Sequence, residues 1–264
     1  MEEEILTEDS RKKLINGINS KGVILEERTW KLIQNFLTIE SGSQRYKLIY
    51  YSRDEKIPRE RIEIDVYALI DNKKFIIECK RSKYSWFFLK NVQSEDAIYH
   101  LIDSKDGIVV QSISTNKITS CESNLLCIKQ GQTLPHTNNK DIQVSYKELH
   151  DSIRQVLQET EAVMYEHTLN NRRINTLFIP IIVTNADIFI IHYDDGHINM
   201  QGDLTDITSI CHSPYLAYNF PEVLTWDTSR DIIKNYQSNS ECKTVFIVNI
   251  NHLLDFFRAF KNGF

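Results

Sequence analysis

Asp65, Glu78 and Lys80 fall within IEIDVYALIDNKKFIIECKRS, residues 62–82, a stretch that otherwise reads as two apolar β-strands joined by a turn. IEIDVYALI is rich in β-branched and aromatic residues, DNKK has the chemistry of a hairpin connection, and FIIECK forms the second strand. Side chains alternate faces along a strand. Ile62, Ile64, Val66 and Ala68 are therefore expected on one face, with Glu63, Asp65 and Tyr67 on the other. In the second strand Phe75, Ile77 and Cys79 oppose Ile76, Glu78 and Lys80. Pairing across the short turn then aims Asp65, Glu78 and Lys80 into one pocket.

Carboxylates are depleted in strands and rarely fully buried unless paired or metal-bound. Two ionised carboxylates in one pocket repel by roughly 4 kcal/mol at about 4 Å and an effective dielectric near 20. A shared proton, a salt bridge with Lys80 or a divalent cation would each relieve that repulsion. Mg²⁺ takes one or two protein carboxylates, keeps several waters and accepts substrate phosphate oxygens. A lysine on the same strand face would orient or deprotonate an attacking water, and metal and lysine together would offset charge developing at phosphorus. A lone E-x-K is more often a structural or solvated ion pair. Here an acid-bearing strand precedes it, with twelve residues and a turn between Asp65 and Glu78, and that constellation is far less common by chance.

These residues resemble the signature of the PD-(D/E)xK nuclease superfamily, the restriction-endonuclease-like fold. Asp65 matches the first acid of the motif, and Glu78 and Lys80 match its E-x-K. Ile64 stands where the name-giving proline would be, a substitution the superfamily tolerates. The preceding GVILEERTWKLI is similar to the family's first core helix, which often carries an early acid; Glu26 is the better match and Glu27 the second. The strong resemblance covers about residues 22–83, and LFIPIIVTNADIFII is similar to a later strand of restriction- and defence-associated members, including Mrr-like ones. The resemblance implies an αβββαβ core with a mixed central sheet flanked by helices. It also implies a Mg²⁺-dependent endonuclease, with Mn²⁺ as a possible substitute. Asp65, Glu78, Glu26 and the backbone carbonyl of Cys79 would bind metal, and Lys80 would serve the nucleophilic water. DNA is the expected substrate and RNA the second choice, in bacterial defence or restriction. The alternatives from other classes are a catalytically silent nucleic-acid-binding or assembly subunit of the same fold, and an effector nuclease activated by a partner or a nucleotide.

The elements that must position these groups are read from periodicity. LTEDSRKKLINGINSKGVILEERTWKLIQNFLTIE is helical in character with a break at 17–22, and RYKLIYYS is a strand. Pro58 falls in a charged turn. SYKELHDSIRQVLQETEAVMYEH is a long helix with Ile153, Val156, Leu157, Val163 and Met164 on its apolar side. NTLFIPIIVTNADIFIIHY supplies two strands, the first so continuously apolar that a central, doubly covered position is expected. TVFIVNINHLLDFFRAFKN reads as a strand and a short helix. Residues 84–142 are expected to form an insertion, with EDAIYHLID as a short helix and GIVVQSI as a strand. This order predicts an α/β fold in a single domain over 1–264.

The 264 residues are 41% hydrophobic and 25% charged, with net charge −5 and five cysteines. A uniformly basic nucleic-acid coat is excluded, so phosphate contacts must come from a local patch. No run of about 18 apolar residues exists, and the acidic MEEEILTEDSRKK is unlike a secretory leader, so a cytoplasmic protein with reduced thiols is expected. Cys121, Cys127 and His136 match no common zinc spacing. Arg81 and Lys83 extend the motif and are weak candidates for phosphate contact, as are Gln155 and Gln158, which lie on the helix expected beside the site. Arg172 and Arg173 form a second basic spot. Glu63 is more simply a strand-edge charge and Tyr67 a core aromatic. His192, His197 and His212 lack partner spacing. The YSWFFLK aromatics are expected to pack an insertion or a dimer interface rather than stack on bases. A homodimer fits double-strand cleavage.

Overall fold

The computed structural model describes the backbone of residues 7–20, 22–51, 58–93, 97–103, 107–113, 118–121, 123–129, 139–169, 176–220 and 243–263. Helices α1 (Glu8–Ser20) and α2 (Val23–Phe36) lead into strands β1 (Ser41–Tyr51), β2 (Pro58–Ile70) and β3 (Lys73–Lys80). Strands β4 (Tyr84–Asn91), β5 (Ala97–Asp103), β6 (Gly107–Ile113), β7 (Ser120–Cys121) and β8 (Ser123–Lys129) follow, then helix α3 (Asn139–Leu169). The chain closes with β9 (Leu177–Thr184), β10 (Ile188–Tyr193), β11 (Ser209–His212), β12 (Tyr215–Phe220), β13 (Lys243–Asn249) and α4 (Leu253–Gly263).

The molecule is a mixed α/β protein. Its large sheet runs β1-β2-β3-β9-β13-β12-β7, with β5 joined to β9 and β6 to β5. β2 runs antiparallel to both its neighbours, β1 and β3, whereas β3, β9 and β13 run parallel. α3 covers one face and α2 with α4 the other, each over its own apolar cluster. β9 lies at the centre, its Phe178 and Ile182 in the α3-side cluster and its Ile179, Ile181 and Val183 in the opposite one. That two-sided burial is what its continuous apolar run demands. A smaller sheet, β11-β10-β4-β8, sends Trp86, Phe88, Ile188 and Ile190 into the α3-side cluster.

The β2–β3 turn sets the register that matters for the site. Asp71 and Asn72 both have positive φ, 49° and 60°. They form the whole connection between Ile70 and Lys73, the two-residue arrangement whose twist matches a hairpin. Close to the same end of β2, Gly42 pairs with Ala68 and lies so near β2 that a Cβ there would sit 2.6 Å from the Tyr67 carbonyl oxygen. Only glycine fits.

Four expectations need correction. Pro58, placed in a charged turn, instead opens β2. Residues 97–103, expected within a short helix, form strand β5, in which Ala97, Tyr99 and Leu101 are buried at alternate positions. The period is two, and pairing with β6 and β9 overrides the local helical character. Ile64 and Val66 do not share a face: Ile62 and Ile64 join the α3-side cluster and Val66 and Ala68 the α2-side one. The alternation slips at Asp65, opposite Arg45, whose backbone is left-handed at φ 52°; Gln44 pairs Val66 and Tyr46 pairs Ile64, but these two residues drop out of the ladder. The second helix, read as running through LTIE to Glu40, stops at Phe36, and the strand read from Arg45 begins earlier, at Ser41. Within the segment 84–142, β4 and β8 enter the smaller sheet while β5, β6 and β7 enter the large one. Arg172, Arg173 and His136 lie outside the described residues.

Candidate functional site

The hairpin register places Asp65 opposite Glu78, yet the β2–β3 ladder ends one step earlier, at Val66–Ile77. In place of the next rung, the Asp65 carboxylate accepts the Cys79 backbone N–H at 2.8 Å. A backbone N–H of a paired strand points within the sheet plane, so Asp65 fills the gap where the two strands part. Its carboxyl is hydrogen-bonded to that of Glu78, which is 6% exposed. Sequence periodicity thus predicts the meeting of the two acids, although Asp65 reaches the site through a slipped strand rather than regular alternation.

α3 supplies the cover on the Glu78 side. Gln155 donates from one amide nitrogen to Glu78 Oε2 at 2.8 Å and to Glu159 Oε1 at 3.1 Å. The two residues are one helical turn apart, the spacing at which side chains stack on one face. Glu159 is 2% exposed, and its Oε2 is buried without a hydrogen-bond partner among the described residues. Glu159 was not singled out from sequence. The available signal was its position in the buried stripe of α3, between Val156 and Val163. Gln158, by contrast, is exposed.

α2 supplies the other flank. Glu26 is 8% exposed and accepts Arg45 Nε on its Oε2 at 3.1 Å. Its Oε1 and the Cys79 carbonyl oxygen border the same point, each 3.9 Å from where a Cβ on Gly22 would stand. Gly22 caps α2 with φ 75°, a left-handed conformation that glycine adopts without a steric penalty. Glu27 instead pairs with Lys31 on the surface at 2.6 Å, which holds its carboxyl below the usual range. The Cys79 thiol packs in the α2-side cluster, hydrogen-bonded to Thr29.

Burial controls the electrostatics. It pushes Glu78 up to about 10, with the charges of Asp65 and Glu159 adding to the shift and Lys80 opposing it. It pushes Glu159 up to about 8 against the hydrogen bond from Gln155. Asp65 rises less, to about 6, again chiefly by burial, because the Cys79 N–H stabilises its ionised form and opposes the shift. Near neutral pH the cluster therefore holds protons that ordinary carboxyls would have lost. A cation entering the site would displace them.

Lys80 follows Glu78 on the same strand face and is half-buried, and Arg81 and Lys83 are exposed just beyond. Glu63 is exposed and pairs with Lys47 at 3.4 Å. Tyr67 is buried and stacked on Tyr46 at 4.8 Å. His212 is exposed, and His192 and His197 lie away from the acids on β10 and the turn after it. Trp86 and Phe88 are fully buried, which leaves neither ring available to a base. Cys121 is a buried free thiol.

The donors suit a hard divalent cation. Asp65, Glu78, the Cys79 carbonyl and Glu26 Oε1 are all oxygens, as Mg²⁺ or Mn²⁺ requires. Among the described residues no three His, Cys, Asp or Glu side chains converge closely enough to hold an ion by themselves. Two carboxylates, a carbonyl and waters form the incomplete shell that Mg²⁺ accepts. No described helix is long and apolar enough to cross a membrane. No family model matches the chain, and no curated protein or solved structure matches it significantly.

Proposed function

We propose that this chain is a Mg²⁺-dependent nuclease of restriction-endonuclease-like fold that hydrolyses phosphodiester bonds, with DNA as the favoured substrate. The observation that carries the reading is the Asp65–Glu78 carboxyl pair at the splayed end of β2 and β3, with Lys80 on the same strand face and Glu26 on the flank. The succession α2-β1-β2-β3, followed after the intervening β4–β8 by α3-β9, with sheet order β1-β2-β3-β9, is compatible with the αβββαβ core that the motif implies.

Each residue has a physical part in that reaction. Asp65 and Glu78 would hold the cation with the Cys79 carbonyl, and Glu26 Oε1 would complete the shell. A bound cation would supply Lewis-acid stabilisation of charge developing at phosphorus and would lower the pKa of a bound water. Lys80 orients that water and offsets negative charge at the scissile phosphate. Gln155 keeps Glu78 Oε2 engaged, leaving the other carboxyl oxygen to face the gap. A role in defence against foreign DNA belongs to the same reading.

The test is direct. Purified protein is incubated with plasmid DNA and with RNA in Mg²⁺, Mn²⁺ or EDTA, beside Glu78→Ala. Cleavage that requires the ion and vanishes in the variant supports the enzyme. Nucleic-acid binding without cleavage under every condition replaces it with a silent binding subunit.

A further inference from the structure

We infer that Arg45 is the phosphate-binding residue of this site: Nε anchors the guanidinium on Glu26, and the two Nη groups are presented to a substrate phosphate. The inference rests on the nuclease reading above and names a recognition residue that the motif does not contain.

Four observations converge on Arg45. Its only hydrogen bond or ion pair among the described residues is Nε to Glu26 Oε2 at 3.1 Å. Guanidinium carries five N–H donors in a planar fork, and that fork matches a phosphate in bidentate fashion. One donor is committed here and the Nη donors remain. The Arg45 side chain is 46% exposed while Glu26 is 11%, so the anchored end is inside and the rest is at the rim. Arg45 also stands opposite Asp65, at the position where both residues leave the β1–β2 ladder, and its φ of 52° is one of three positive values at non-glycine residues among the described residues. The other two, Asp71 and Asn72, make the hairpin turn, where such values are ordinary. Arg45 has no turn to explain its backbone. The left-handed conformation is retained in mid-strand, where it brings this side chain to the acids.

Charge makes such a residue necessary. A chain of net charge −5 that gathers Glu26, Asp65, Glu78 and Glu159 in one place repels a polyanion until something positive intervenes. The cation and Lys80 act at the scissile bond. Arg45 lies one carboxylate width away, on the α2 flank, because Oε1 of the same Glu26 borders the Cys79 carbonyl. A phosphate held there is adjacent to the one being cut. Arg81 and Lys83 are exposed beyond the end of β3.

The experiment measures binding apart from hydrolysis. A short labelled DNA duplex and the matching single strand are titrated with protein in Ca²⁺ by fluorescence anisotropy. Salt is varied from about 50 to 200 mM, and Mn²⁺ binding is measured in parallel by calorimetry. Arg45→Gln is expected to bind DNA about tenfold more weakly and to lower the slope of log affinity against log salt by about one. Arg45→Lys should keep the slope and recover only part of the affinity, since a point charge replaces the fork. Glu26→Gln releases the guanidinium, so it should weaken Mn²⁺ binding while DNA affinity holds or rises. If Arg45→Gln instead behaves like Glu26→Gln, losing Mn²⁺ affinity with DNA binding and salt slope intact, Arg45 merely seats Glu26 and the inference is wrong. Melting curves establish that each variant is folded. Wild-type protein that binds neither nucleic acid nor Mn²⁺ would overturn the nuclease reading itself.

Discussion

At one end of β3, Lys74 is 5% exposed, and its ammonium lies 5.9 Å from the centroid of Tyr67 and 5.8 Å from that of Phe178. At the other end, four residues on and on the same face, Glu78 is 6% exposed against the carboxyls of Asp65 and Glu159. Both ends bury charge, by opposite means. Around Lys74 the aromatic faces present negative potential to the cation. Tyr46 stacks on Tyr67 and donates its hydroxyl to Glu166 at 3.1 Å. Complementary groups surround that ion. Around Glu78 like charges meet in a desolvated gap, and protons are retained to make the arrangement tolerable. Strongly shifted buried carboxyls cluster at functional sites, and that association is what the proposed function draws on.

The largest effect should separate the two ends outright. Asp65→Ala and Glu78→Ala are expected to lower cleavage by roughly a thousandfold, since a catalytic cation contributes several kcal/mol of transition-state stabilisation. Lys74→Met, at the other end, should leave the rate within about threefold. Initial rates at saturating Mg²⁺ decide the matter. Comparable losses at both ends would erase the distinction.

The second effect concerns stability and pH. Asp65, Glu159 and Glu78 have folded-state values pushed up to about 6, 8 and 10 by burial, all above those of an unfolded chain. The folded protein therefore binds these protons more tightly. Their stabilising contribution is complete below about pH 4 and is lost as pH rises through those values. Metal-free protein should melt at progressively lower temperature between pH 5.5 and pH 9. Because a cation stabilises the ionised form, the rise in melting temperature on adding Mg²⁺ or Mn²⁺ should be larger at pH 8.5 than at pH 5.5. Glu78→Gln should flatten both trends. A pH-independent cation effect would mean that the ion binds elsewhere.

Which of these features could be read beforehand depends on how local their causes are. The meeting of Asp65 with Glu78 needs only a two-residue turn at Asp71–Asn72 and twelve intervening residues, so it was legible. So was the central place of β9, because two-sided burial writes a continuous apolar run. The strand slip at Asp65 was not legible, since it accompanies a left-handed Arg45, and arginine gives no sign of that conformation. Glu159 looked like a surface glutamate on a long helix; only the packing of α3 over β3 makes its position interior. β5 and the membership of β4 in a second sheet depend on partners far along the chain, β9 and β10, which local pattern does not specify.

Glu159 offers a finer probe of the acidic end. Glu159→Gln removes one of the charges that raise Glu78 and keeps a polar group against Gln155. Metal-free protein at pH 8 should become more stable. Cleavage should fall only about tenfold, the modest loss expected when a partner of a ligand is changed rather than the ligand. Its pH profile should shift toward lower pH, because Glu78 then ionises more readily. A loss as large as that of Glu78→Ala would instead place Glu159 on the cation itself.

The smallest effects belong to the aromatic end, and they test whether its chemistry is purely structural. Lys74→Met keeps the length and the apolar stem while deleting the ammonium over Tyr67 and Phe178. A cation–π contact in a desolvated setting contributes roughly 2 kcal/mol, and removing a buried charge also removes its desolvation penalty. The two oppose each other, so the melting temperature should move by only a few degrees, with no dependence on Mg²⁺ and none on pH between 5.5 and 8.5. Gly42→Ala, beside the same rings, acts by another route. Its Cβ would press on the Tyr67 carbonyl at 2.6 Å, and the backbone shift should cost about 1–3 kcal/mol. Denaturant melts with and without Mg²⁺ measure both. If either variant gains or loses stability only when the cation is present, the rings and the acids are energetically linked along β3, and the two ends form one device instead of two.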